Sequence, residues 1–325
     1  MVAGQDQRVV VIGLPEVGKT TFLAALWDVV GSGEVPGALQ LAQLEGDKHH
    51  LNEIRDRWAD WEAIDRTKVP NETMVSMWLK EIVSGRVSEV IFTDMSGESF
   101  QQQWNERVCT PEYCALISQI SGALLFIHPR QVMEAVLIRD AATMMRRLPS
   151  PSPSSVDDPG ASALKPSAGR SAAPVGPAEV ETANPLPTEP RYASTQVQLV
   201  ELLQFVNVLR SSNTDKLRLG VILSAWDVVE KQSKGNNAGP RSWLSERMPL
   251  LDQFLRANPE LFDYDVFGVS AQGGELDQAE ELRKMSHQPS DRIIVIHGAQ
   301  RSHDITVPVR WVLRFDSNAA ANSSP

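Results

Sequence analysis

The sequence predicts a three-layer α/β domain with a mainly parallel sheet and one antiparallel edge strand, and three observations carry that prediction. An all-apolar run, residues 9–12, leads at once into Gly13-Leu14-Pro15-Glu16-Val17-Gly18-Lys19-Thr20 and then into an amphipathic stretch, residues 21–30. A short all-apolar segment recurs at residues 123–127, the pattern of a parallel strand covered on both faces, and further buried strands are expected at 217–223 and 266–269. Thr73, Val75, Met77 and Leu79 alternate with period two, and Ser84-Gly85-Arg86 turns that run into residues 88–93, which predicts an antiparallel hairpin.

The first of these carries chemistry. The spacing G-x-x-x-x-G-K-[ST] belongs to loops that cradle phosphates. Gly13 and Gly18 let the backbone wrap closely, so that the N–H groups of Glu16, Val17, Gly18, Lys19, Thr20 and Thr21 point at anionic oxygens beside a helix N-terminus. Lys19 then reaches the β- and γ-phosphates, and the Thr20 hydroxyl ligates Mg²⁺. The bland alternative is a glycine turn joining a strand to a helix. The apolar strand before it, and Phe22, Leu23, Leu26, Val29 and Val30 after it, supply the context the phosphate loop requires.

Along the chain, residues 31–37 form a turn-rich break, and Leu51, Ile54, Trp58 and Trp61 then recur at helical spacing as a core stripe. The second hairpin strand runs into Asp94-Met95-Ser96-Gly97-Glu98. An aspartate at a strand end, with glycine three residues on and a phosphate loop about seventy residues before, is a second nucleotide signature. There Asp94 holds the metal and the Gly97 N–H senses the γ-phosphate. Residues 100–120 read as helix, 132–148 as helix again, and 149–193 as a disordered insertion holding ten of the 21 prolines over 149–190 with no aromatic residue there. Beyond it come a helix at 194–210, the strand 217–223 closing on Ser224-Ala225-Trp226-Asp227, one helix at 243–255, and the strand 266–269 closing on Ser270-Ala271. Residues 293–296 are an apolar run without an assigned partner, and 307–315 close the domain as a helix or a strand. The sheet pattern resumes after the insertion, so a single domain is expected over residues 1–318, with a disordered tail at 319–325.

Bulk properties narrow the classes. A net charge of −10 speaks against nucleic-acid binding, and 42% hydrophobic content is enough for a well-buried core. There is no apolar run of membrane-spanning length and no N-terminal signal pattern, so no membrane insertion and a cytoplasmic location are expected. Cys109 and Cys114 have no metal-ligand spacing and are expected as reduced thiols; His49 and His50 are adjacent and point different ways on a helix.

The four sites, in this order, resemble the Ras-like P-loop GTPases of the translation-factor-related (TRAFAC) class. The Asp94-Met95-Ser96-Gly97-Glu98 form, the Trp-Asp ending of the base loop, the large insertion and Pro308-Val309-Arg310-Trp311 are most similar to the bacterial double-GTPase group of conflict and signalling systems. The resemblance implies a G domain that binds GTP or GDP with Mg²⁺. Lys19 would bind phosphates; Thr20, Asp94 and a first-switch threonine would hold the metal, Thr73 fitting that place best and Thr67 second. Asp227 would pair with the two guanine nitrogens that carry hydrogens. Ser270 and Ala271 would sit by the guanine carbonyl, the Ala271 N–H donating.

Two departures bear on chemistry. Ser224 and Ala225 stand where that class carries Asn-Lys in the base loop, so weaker guanine affinity is expected, with Trp226 compensating by stacking on the base. Glu98 stands where Ras-like enzymes carry a water-orienting glutamine; an ionised glutamate cannot donate to the γ-phosphate, so slow intrinsic hydrolysis is expected, raised by an arginine from a partner. The function expected is a slow GTP-hydrolysing switch that relays its nucleotide state to a protein effector or activating partner, such as one from the same gene cluster. Two alternatives stay open: a nucleotide-loaded scaffold that never turns over, and an ATPase or kinase using the same loop.

Overall fold

A computed structural model of the chain describes residues 7–64, 74–93, 103–104, 106–134, 193–210, 215–232, 239–276, 279–280 and 288–315. Its centre is a run of five parallel strands: β4 (Val87–Thr93), β1 (Arg8–Gly13), β5 (Gly122–Ile127), β6 (Leu217–Ser224) and β7 (Phe262–Ser270), in that spatial order. Period-two geometry sends alternate residues of each strand to opposite faces. Val9 and Val11 of β1 join one buried cluster, with Phe22, Trp58 and Phe126, while Val10 and Ile12 join the other, with Ile117, Leu203 and Leu251. Both faces are covered, which is why β1 and β5 carry continuous apolar runs.

Helices supply the outer layers. The first face carries α1 (Lys19–Ser32), α2 (Lys48–Ala59) and a closing helix at Val307–Val312, the Pro308-Val309-Arg310-Trp311 segment. The second face carries α3 (Pro111–Ser118), α4 (Thr195–Leu209), α5 (Trp226–Gln232), α6 (Pro240–Arg247) and α7 (Pro249–Ala257). Ser194 caps α4, its hydroxyl accepting from the Val197 N–H.

The antiparallel part is larger than the single edge strand expected. On one side β3 (Met74–Lys80) pairs antiparallel with β4 and β2 (Gln40–Glu45) antiparallel with β3; on the other, β8 (Ile294–His297) pairs antiparallel with β7 and β9 (Gln300–Ser302) antiparallel with β8. The run at 293–296 thus finds its partner in β7.

Two expected helices are shorter or broken, and a third does not begin where its apolar periodicity suggests. Residues 107–110 are not helical, and α3 starts only at Pro111, with Thr110 as its cap accepting from the Tyr113 N–H at 3.2 Å. The helix expected over 243–255 is two helices, broken at Met248 (φ −130°, ψ 52°), because Pro249 lacks an N–H and pushes the residue before it out of helical geometry. Val132 is extended (φ −72°, ψ 111°), so no helix begins there. Residues 135–192, which include most of the expected insertion, and 316–325 lie outside the described residues. The chain leaves and re-enters beside them at one place: the Met133 N–H donates to Thr195 Oγ1 at 2.8 Å and the Thr195 N–H to the Met133 carbonyl at 3.0 Å. Among the described residues no helix is long and apolar enough to cross a membrane.

Candidate functional site

The phosphate loop spans the end of β1 and the start of α1. Gly13 has φ +149°, and a Cβ there would lie 2.8 Å from the Phe126 carbonyl oxygen, so only glycine lets the loop close over β5. Gly18, at φ +88°, is the N-cap of α1 and offers no side-chain acceptor to the first-turn N–H groups. Those groups, with the helix dipole, form an anion-binding end. Glu16 adopts φ +61°, a left-handed conformation that bends the loop between the two glycines. Val17 is buried, and Thr20 and Thr21 are half-buried. Lys19 Nζ donates to the Gly13 and Leu14 carbonyls, both at 2.8 Å, folding the ammonium back over the loop.

The second cluster lies at the ends of β6 and β7. Asp227, in the first turn of α5, is buried, and its Oδ1 accepts from Ser270 Oγ at 2.6 Å. Its other oxygen, Oδ2, is buried with no hydrogen-bond partner; Lys231 Nζ lies 3.8 Å away. A buried carboxylate oxygen without a donor is costly, and a ligand N–H removes that cost. Ser270 Oγ also accepts from the Gly273 N–H at 3.1 Å, so β7's end is tied on both sides. Ser224 Oγ donates to the Ile127 carbonyl at 3.3 Å, and its Cβ and Oγ are each 3.4 Å from where a Gly18 Cβ would be. It therefore packs beneath the phosphate loop and ties β6 to β5. Ala225 stands at φ +48°.

The two clusters meet. A cavity of about 490 Å³ is lined by Gly18 and Thr21 from the phosphate loop and by Asp227, Ser270 and Ala271 from the strand ends. That volume is of the order that holds a nucleoside-sized ligand. A second cavity of about 350 Å³ lies behind Leu14, Pro15 and Val17, and Asp227, Ser270 and Ala271 line none of it.

The stacking expected of Trp226 is corrected. Its ring is buried in the second-face core and lies over β7, where a Cβ on Gly268 would meet Trp226 Cδ2 at 2.5 Å. It fills the core and lines no part of the base cavity. Thr73, its alternative Thr67, Asp94, Gly97 and Glu98 lie outside the described residues.

Several cavity residues went unread in the sequence. His128 and Arg130, just past β5, line the cavity, and Arg130 pairs with Glu275 on the loop after β7. Burial, then the Arg130 guanidinium, holds His128 below the ordinary histidine range, which favours the neutral ring. Trp58 of α2, read only as core, donates from its indole Nε1 to the Ala271 carbonyl at 3.0 Å. The helical stripe gave the burial of Trp58 but no sign of a partner more than two hundred residues away.

A sequence model of the family described as Double-GTPase 1 matches residues 10–312. No curated protein matches the chain. Among solved structures, a Methanosarcina barkeri Roco2 RocCORdC bound to GDP is similar with 10% identity and a TM-score of 0.25, over 90% of this chain and 53% of that one. The chain thus spans about half the length of that structure.

Proposed function

We propose that this chain, which belongs to the Double-GTPase 1 family, is a switch that binds GTP with magnesium and hydrolyses it slowly to GDP and phosphate. Family membership carries the coarser statement, guanine-nucleotide binding by a GTPase-family protein. The single observation that best supports the finer reading is the cavity in which Gly18 and Thr21 face the same space as Asp227, Ser270 and Ala271. Phosphate-binding backbone and base-reading groups, far apart in sequence, share one volume.

In this reading the Lys19 ammonium leaves the Gly13 and Leu14 carbonyls for the β- and γ-phosphates, and the N–H groups of residues 16–21 surround the triphosphate. Asp227 Oδ2 takes a guanine N–H, and the Ala271 N–H donates to the guanine carbonyl. Thr20, with Asp94 and Thr73, would supply hard-oxygen ligands of the kind magnesium takes, and the ion would neutralise developing phosphate charge. Gly97 senses the γ-phosphate. Water attacks the γ-phosphorus, and Glu98, in place of a glutamine, can accept a proton from it but not donate to the phosphate, which keeps the unaided step slow. The nucleotide state passes to a protein partner, as befits conflict and signalling systems, with an activating arginine supplied in trans.

Titration calorimetry with GTP, ATP and xanthosine triphosphate tests the guanine claim; equal affinity for ATP would remove it. Phosphate release, with and without products of neighbouring genes, tests turnover. Rapid multiple turnover by the isolated chain, abolished by Glu98→Ala, would overturn the role given to Glu98. Ala225 in place of a lysine, and Glu98 itself, favour a second reading, a nucleotide-loaded scaffold; absence of release under every condition would select it.

A further inference from the structure

The loop that carries Ala271 is held from outside the nucleotide site by α2. Trp58 is fully buried, yet its polar groups are all engaged toward one purpose. Its indole Nε1 donates to the Ala271 carbonyl at 3.0 Å, and its own carbonyl accepts from Gln272 Nε2 at 3.4 Å and from Arg292 Nη2. Arg292 Nη1 donates to the Ala59 carbonyl at 3.2 Å, and the guanidinium is sandwiched between the rings of Trp58, 4.3 Å away, and Trp61, 4.4 Å away. Trp61 stands at φ +58°, a left-handed conformation a bulky residue adopts only under constraint. The other end of the loop is fixed independently, by the Ser270 hydroxyl on Asp227 Oδ1.

The direction of the Ala271 N–H depends on both anchors. Ser270 sets the peptide that carries it, and the indole bond on the Ala271 carbonyl sets the rotation of that residue about its own axis. A donor aimed in advance contributes affinity because no ordering is needed on binding. We propose that Trp58 is a positioning residue for base selection, acting through Ala271 on the guanine carbonyl; this rests on the guanine-binding reading above. Arg292, clamped between two indoles, holds Trp58 in register and is the second positioning residue.

The test uses the full chain and three triphosphates: GTP, inosine triphosphate, which keeps the ring carbonyl and lacks the 2-amino group, and 2-aminopurine riboside triphosphate, which keeps the amino group and lacks the carbonyl. Trp58→Phe keeps an aromatic ring at the position and removes the N–H donor along with the fused second ring; the cavity this leaves would act on all three ligands alike, while loss of the donor would not. Expected is a loss of about tenfold in affinity for GTP and for inosine triphosphate, with 2-aminopurine riboside triphosphate changed less than twofold. A merely structural role would weaken all three equally, and that result, or no loss at all, overturns the proposal. Should Trp58→Phe not fold, judged by thermal melting, Arg292→Lys is measured against the same three ligands, with the same selective pattern expected. If the wild-type chain itself binds 2-aminopurine riboside triphosphate and ATP as tightly as GTP, the guanine reading has failed, and the role of Trp58 falls with it for a distinguishable reason.

Discussion

Replacing Asp227 with asparagine separates base reading from folding, because the carboxylate has one satisfied and one orphaned oxygen. Oδ1 holds Ser270 Oγ at 2.6 Å, a bond the asparagine carbonyl can keep. Oδ2, buried without a hydrogen-bond partner, becomes an amide NH₂. Facing guanine, that group sets donor against donor. One charge-assisted bond of about 1.5–3 kcal/mol is lost and a desolvated mismatch is added, so GTP affinity falls by roughly 3 kcal/mol or more, on the order of a hundredfold. Xanthine offers a carbonyl at the same place, so xanthosine triphosphate gains affinity in the variant. The nucleotide-free protein behaves differently: removing a buried, half-partnered charge leaves its stability unchanged or raises it by about 1 kcal/mol. Calorimetry with both nucleotides, beside urea denaturation of the empty protein, reads both quantities. A GTP affinity within threefold of wild type, or an equal loss for xanthosine triphosphate, would refute the assignment of Oδ2 to the base.

Other expectations follow from single features. Ala225→Gly relieves left-handed strain of about 1–2 kcal/mol against about 0.5–1 kcal/mol of added chain entropy, a net stabilisation of roughly 0.5 kcal/mol readable by urea titration. Arg130→Ala opens the ion pair with Glu275 at the cavity and speeds release of a fluorescent GDP analogue by about two- to fivefold at low salt, less at high salt. His128 has its folded value depressed by burial, so the unfolded chain takes the proton first. The stability it contributes is present above about pH 6.5 and is lost as pH falls through the folded value, and melting curves of wild type and His128→Gln should converge over that window. Burial, reinforced by Cys114 beside it, pushes the Cys109 thiol up to about 11, so alkylation by iodoacetamide at pH 8 should be far slower than for a free thiol and rise only in strong alkali.

The strands and the phosphate loop were legible because their signals are local. Burial on both faces makes the apolar runs of β1 and β5, and the loop's Gly13 and Gly18 are fixed in the sequence by the motif spacing and hold positive φ in the loop itself. The same locality let Asp227, Ser270 and Ala271 be read as strand-end groups, and they do line the cavity with Gly18. What escaped depends on distant partners. β2, with the sequence Gln-Leu-Ala-Gln-Leu-Glu, lies at the sheet edge with mostly exposed side chains, so no apolar period marks it. The interruptions at Pro111 and Pro249 lay within sound periodicity, and the two prolines, not the pattern, set the boundaries. Trp226 beside Asp227 looked like a base-stacking ring because the space above Gly268, more than forty residues away, was not visible from the base loop itself.

The base loop has lost the lysine and asparagine of its class, but the arrangement around it is not a general weakening. Ser224 still packs against Gly18 and binds the Ile127 carbonyl, Asp227 is locked to Ser270, and Ala271 is pinned from α2. On the proposed reading, the groups that tell guanine from adenine are held by long-range contacts, while the side chain that would have lain along the ring is reduced to the Ala225 methyl. On that reading selectivity is kept while grip is reduced. Among related complexes, affinity differences appear mainly in dissociation rates. On the proposed reading the bound nucleotide should then leave unaided faster than from a loop bearing the lysine, and the cellular pool would reload the site. On the same reading the slow step left to control is hydrolysis, held back because Glu98 replaces the water-orienting glutamine of that class. A partner that supplies positive charge to the γ-phosphate therefore has more to change in this protein than one that ejects GDP, and Ala225→Lys, by slowing release without altering hydrolysis, would shift control back toward exchange.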